Sequence, residues 1–199
     1  MFRNAFRSCV ALFAAAILWC ASDTVSLAAK APVPVAGTAW ATTGKVKAKA
    51  GKLGGLSVDG QGGVLFSPSE AVGLPTAGDF ECEFAGTDVD VTVGATVTGT
   101  YTQDEKGKIQ LVVNDEPLEA QITALILVAL AGEGIVPDSI ETTITKTTAT
   151  AKTKSSTKSG DTIKVKFSAK ADVAVTLGPE TETLKVNLSY SGDGPKADM

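Results

Sequence analysis

Five carboxylates crowd one short stretch of this chain: Asp79, Glu81 and Glu83, then Asp88 and Asp90 beyond Ala85-Gly86-Thr87. On an extended backbone the first three point to one side. A tight connection at Ala85-Gly86-Thr87 would bring the other two onto the same face. Oxygen ligands at that density suit calcium, and two acids at the right separation can hydrolyse a glycoside. The spacing supports neither reading strongly. No segment matches a twelve-residue calcium loop, and no pair of acids is isolated in an apolar run. Lysine rows at the same two-residue spacing, Lys45-Lys47-Lys49 and Lys164-Lys166-Lys170, offer compensation without a metal. Neighbouring like charges repel, so complementary faces or plain solvation is the expectation, with calcium as the alternative.

The remaining reactive residues are few. The chain has no histidine, which removes the usual neutral-pH base and the commonest metal ligand. Catalytic triads and dyads built on histidine are therefore impossible within it. Cys82 lies between Phe80 and Phe84 and reads as a small buried hydrophobe. No Gly-x-Ser-x-Gly elbow is present. Gly54-Gly55 and Asp59-Gly60-Gln61-Gly62-Gly63 lack the lysine-serine ending of a phosphate loop. Asn187-Leu188-Ser189 matches a glycosylation acceptor but sits inside a strand pattern. The expectation is a protein that is not an enzyme, with no catalytic residue, no metal ligand and no cofactor.

The N-terminus sets the compartment. Arg3 and Arg7 precede an uncharged apolar run from Cys9 to Ala21, and Ser26-Leu27-Ala28 supplies small residues for signal peptidase. The run is too short for a membrane anchor. The expectation is a signal peptide over 1–28 and an exported protein, periplasmic or extracellular, with no membrane span after cleavage. Removing 28 of 199 residues leaves no arginine, 16 lysines and 21 acids. A mildly acidic, arginine-free chain is a poor partner for nucleic acid. A single remaining cysteine forbids an internal disulfide.

The elements that must carry any site are strands. From Ile163 to Leu177 every odd position is apolar, while the even positions carry Lys164, Lys166, Ser168, Lys170, Asp172 and Thr176, with Ala174 the only apolar exception. Strict alternation with β-branched residues marks a half-buried strand. Its length predicts a bend or bulge near Ala169 to Ala171. Val89 to Tyr101 reads as a second long strand, leading through Gln103 to Gly107 into Ile109, Leu111 and Val113. Further strands are expected at Thr38–Lys49, in a short run from Gly78 to Gly86, at Ile140–Lys152 with a weaker apolar pattern, and at Leu184–Tyr190. Residues 51–78 read as turns around short strands such as Val64-Leu65-Phe66.

One helix interrupts the series. Asn114 or Asp115 can cap it, Pro117 suits its first turn and Gly132 fits a left-handed stop. Its apolar surround predicts burial against the sheet or inside it. The organisation expected is an extended lead over 29–37, a single β-barrel-like domain over 38–191 and a flexible tail over 192–199. The fold class is all-β: an antiparallel meander barrel, or strongly curled sheet, of about eight or nine strands with one buried apolar helix.

Most aromatics fall on apolar strand faces, where ordinary core is the simplest reading. A barrel of about eight strands can also enclose one small molecule. On that view Trp40, Phe80, Phe84, Val93, Tyr101, Phe167 and Tyr190 are the ligand-cavity candidates.

Gly37-Thr38-Ala39-Trp40 before an antiparallel meander resembles the start of a lipocalin-like (calycin-like) barrel, with the glycine one residue further from the tryptophan than in that family's Gly-x-Trp. Trp40 followed by Gly44-Lys45-Val46-Lys47, and the hairpin from Gly99-Thr100-Tyr101-Thr102-Gln103 to Gly107-Lys108, are also similar to secreted bacterial β-domains of no assigned activity. The resemblance implies a fold, not a chemistry. The function expected is a non-enzymatic exported protein binding a small apolar or amphipathic ligand in the barrel mouth. The alternative is an envelope or surface module with a solid core, whose threonine- and lysine-rich faces touch an envelope protein or glycan.

Overall fold

The computed structural model describes residues 32–69, 76–88, 91–156 and 160–197. The expected signal peptide, and the side chains of Asp88 and Asp90, lie outside what it describes. Eight antiparallel strands follow in chain order: β1 (Thr38–Ala50), β2 (Gly55–Pro68), β3 (Ala77–Asp88), β4 (Val91–Gln103), β5 (Ile109–Val113), β6 (Ser139–Ser156), β7 (Gly160–Leu177) and β8 (Glu180–Pro195). The helix α1 (Asp115–Gly132) stands between β5 and β6. Each strand pairs with the next, and β8 returns to β1 through Val46↔Tyr190 and Ala48↔Leu188. The sheet is thus a closed barrel.

Alternation decides what fills it. On β7, Ile163, Val165, Phe167, Ala169, Ala171, Val173 and Val175 are all buried, while Lys164, Lys166 and Lys170 are exposed. The lysines therefore lie on the outer wall, where a transmembrane barrel would carry an apolar band. No described helix is long and apolar enough to cross a membrane.

The expected bulge occurs on the partner strand, not on β7. Pairing of β6 with β7 shifts between Ile144 and Lys146, opposite Ala171 and Lys170. The extra residue flips the phase of β6: Ile140, Thr142 and Ile144 turn inward before it, Ala149 and Ala151 after it. A strand whose inward parity changes midway shows little period-two signal, which is why β6 looked weak in sequence.

Several other expectations are corrected. Residues 55–68 form one continuous strand rather than turns, because Gly60 and Gly62 occupy inward positions that leave no room for a side chain. A Cβ on Gly60 would strike Val46 and the Ala85 carbonyl, and one on Gly192 would strike the Tyr190 ring. Gly192, Gly44, Gly60 and Gly86 stand in one row across β8, β1, β2 and β3, a bare strip against which Tyr190 and Val46 pack. Likewise Ala85-Gly86-Thr87 is strand, pairing with Thr92, Val93 and Gly94, and not a tight connection. The tail does not fray over its whole length. Residues 192–195 continue β8, Lys196 bridges to Trp40 and the Ala197 N–H donates to the Ala39 carbonyl.

The helix fills a gap in the wall. β5 is only five residues long and meets β6 through two pairs, Ile109↔Ala151 and Gln110↔Thr150. Below them the helix takes the place of a strand. Gln121 accepts from the Thr96 N–H (2.7 Å) and donates to the Thr96 carbonyl (2.8 Å), satisfying the edge of β4 as a neighbouring strand would. On the other side the Ile144 N–H donates to the Glu119 carboxylate at 2.9 Å, and the Thr123 and Thr142 hydroxyls meet at 2.7 Å. Leu118, Ile122, Ile126 and Leu130, four residues apart, form the buried stripe, while Leu127 and Val128 are exposed. The apolar surround is therefore only half buried. Asn114 occupies the N-cap without a side-chain cap bond, and the left-handed residue at the C-terminal end is Gly134, not Gly132.

Candidate functional site

The barrel has two unlike ends. At one, the lead over residues 32–37 folds across the opening. Val35 is buried and its N–H donates to the Gln103 side chain at 3.2 Å, whose amide donates to the Val33 carbonyl at 2.8 Å. Trp40 lies beneath, donating through Nε1 to the Thr38 hydroxyl at 2.8 Å; that hydroxyl donates to the Val35 carbonyl. Phe66 and Tyr101 meet edge to face, with ring centres 5.0 Å apart. This end is sealed.

The other end is a mouth. A cavity of about 830 Å³ opens between the tip of the β1–β2 hairpin, the start of β4, part of β8 and the C-terminal half of α1. Its wall is mostly apolar, led by Leu56, Val93, Ile122, Ile126, Val186 and Leu188. β8 pairs with β1 only over Val186–Asp193, so its first residues stand clear of β1 at this end. Charge is confined to Lys49, Lys52 and Glu133. Lys52 donates to Glu182 at 2.9 Å, a hydrogen bond that holds its ammonium above the usual range, with charge attraction to the same carboxylate adding to it.

Of the seven cavity candidates, only Val93 lines the mouth. Trp40 and Tyr101 belong to the sealed end. Phe80 is buried on β3. Phe84 stacks on Tyr190, with planes 2° apart and centres 4.9 Å apart, and tilts against Phe167 at 5.8 Å. The Tyr190 hydroxyl pairs with Thr42 at 2.7 Å. Burial raises the Tyr190 phenol, the Thr42 bond partly opposing it. These aromatics pack on one another across the barrel and form a filled core. The Tyr101 hydroxyl is buried with no hydrogen-bond partner among the described residues, and burial raises it too.

Sequence reasoning looked for the cavity at the aromatics and missed the aliphatic ring that bounds it. Two signals were present. The i, i+4 stripe Ile122–Ile126 marked the inward face of the helix, and the even-numbered inward parity of β8 placed Val186 and Leu188 beside it.

The acidic row takes the second of its two expected forms, plain solvation. Asp79, Glu81 and Glu83 are exposed on β3, flanked by Ser67, Leu65 and Gly63 of β2 and by Thr100, Thr98 and Thr96 of β4. No lysine row adjoins them; Lys45 pairs instead with Asp59 at 3.2 Å. Solvent and threonines flank the acids because β2 to β5 contain no lysine at all. Among the described residues no three acidic or cysteine side chains converge as a metal site. Cys82 is buried, and burial, helped by Glu83, pushes its thiol up to about 12, far from a reactive thiolate.

No family model, no curated protein and no solved structure matches this chain.

Proposed function

We propose that this is an exported, non-enzymatic binding protein that holds a small apolar or amphipathic ligand in the open mouth of its barrel. One observation carries the reading: a cavity of about 830 Å³ with a mainly aliphatic wall and charge confined to three side chains. Small-molecule sites have about this size and this balance of apolar wall to few polar groups. Export is supported by the basic start, short apolar run and small residues of the first 28 positions. The filled aromatic half favours the rival, a surface module with a solid core, but the mouth is not filled.

Two measurements test it. Solvent extraction of the protein from its own producing cells, followed by mass spectrometry, is expected to release a small apolar compound. A fluorescent lipid-like probe is expected to bind the emptied protein and to lose its site in Ile126→Trp. Nothing extracted and no probe bound overturns the reading, as does a probe that binds the Ile126→Trp variant equally well.

A further inference from the structure

The barrel is electrically divided. Strands β2 to β5 carry five acids and no lysine, whereas β6, β7, β8 and β1 carry ten lysines against six acids. The lysines concentrate on β6 and β7, where Lys146 stands directly opposite Lys170, and Lys152 opposite Lys164. Like charges in directly paired positions repel, and none of these lysines forms an ion pair among the described residues. In a ring of eight strands β3 and β7 are four strands apart by either route. The acidic and basic walls therefore face opposite ways.

The acidic wall also has a receptacle. A groove of about 520 Å³ runs over its outer surface, lined by Leu65, Asp79, Glu81, Gly99 and Val112, with Phe80 beneath. Thr98 and Thr100, on the outward face of β4 beside Glu81 and Asp79, complete its floor. Leu65 and Val112 are among the few large apolar side chains this barrel exposes. An apolar-sided groove with carboxylates suits a lysine, whose stem packs on hydrocarbon while its ammonium meets the acid. Asp79 and Glu81 follow the same two-residue strand period as Lys164 and Lys166, so rows on two barrels can run in register.

We propose that the groove between Leu65 and Val112 receives lysine side chains from the β6–β7 wall of a second copy of this chain, stacking barrels head to tail. The two surfaces are different and lie on opposite sides, so the contact is heterologous and propagates as a chain instead of closing as a dimer. Exposed ion pairs are individually weak, which makes the assembly dependent on concentration and salt.

Sedimentation velocity on the protein from its producing cells is the test, with variants made the same way. Association that grows with concentration at low salt is expected, and its loss near about 1 M salt, where the screening length falls to about 3 Å. The pair Asp79→Lys with Glu81→Lys, and separately Lys146→Glu with Lys170→Glu, should each weaken association at least about tenfold. Mixing the two variants should restore it, because each then offers the wall the other lacks, and a misfolded variant could not do this. A wild type that stays monomeric at low salt overturns the proposal. So does a mixture that fails to associate, or a monomer whose lysine wall instead retains a soluble polyanion.

Discussion

The sealed end and the mouth of this barrel use the same strands but close by different means. At the sealed end, aromatic rings fill the interior and a short lead, tied by Gln103 and Thr38, covers them. At the mouth the wall is aliphatic, the cover is a helix and a hairpin tip, and a cavity is left between them. Bulky rings at 40, 66 and 101 occupy volume that branched aliphatics at 56, 93, 126 and 188 leave open. The first end supplies stability and the second supplies room.

The largest contrast should come from substitutions matched across the two ends. Trp40→Ala removes a fully buried ring at the sealed end and is expected to cost about 3–5 kcal/mol. Ile126→Trp adds volume at a buried position but grows into the cavity, and should cost less, about 1–3 kcal/mol. Urea unfolding of both variants measures this; similar penalties would mean the mouth is as tightly packed as the far end.

Alkaline pH should act mainly through the sealed half. The folded state holds the Cys82 proton up to about 12 against an ordinary value of 9.0. Stability is therefore whole below pH 9.0 and falls as pH rises toward about 12. The slope is about 1.4 kcal/mol per unit, giving a loss of about 4 kcal/mol at most. Tyr101 and Tyr190, also raised by burial, add to the loss above their ordinary 10.0. Unfolding curves between pH 8 and pH 11 should show a shallower decline for Cys82→Ala, and an unchanged slope would count against burial of the thiol.

A smaller difference separates the two tyrosines. Tyr190→Phe breaks the bond to Thr42 and leaves that hydroxyl buried, a cost of about 1–3 kcal/mol. Tyr101→Phe deletes a hydroxyl with no described partner and should cost about 0.5 kcal/mol or less. Thermal melts of both variants compare them directly. A larger loss at Tyr101 would place a bound water on its hydroxyl.

Much of the fold was legible because period-two patterning reports which face is wet. β7 alternates with Ala174 as its one exception, and its eight apolar odd positions include seven that are buried. The helix was legible from its aliphatic density. Ring closure was not, since pairing of β8 with β1 spans nearly the whole domain and leaves no local mark. Nor was β2, whose inward glycines imitate turn chemistry, nor β6, whose bulge cancels its own period. The site was hidden for a related reason: aromatics attract attention, but here they plug the barrel, and the open space lies against residues as plain as Leu56 and Val186.

The two-residue seam between β5 and β6 has a consequence for how the molecule breathes. Every other pair of adjacent strands shares at least five residue pairs. Parting Ile109 from Ala151 and Gln110 from Thr150, together with the helix contacts below, would unroll the ring into a ribbon with two bare edges. Bare edges recruit other strands, so aggregation on mild heating should begin there. Amide hydrogen exchange faster at Gln110 than at Phe167 would register that opening long before global unfolding.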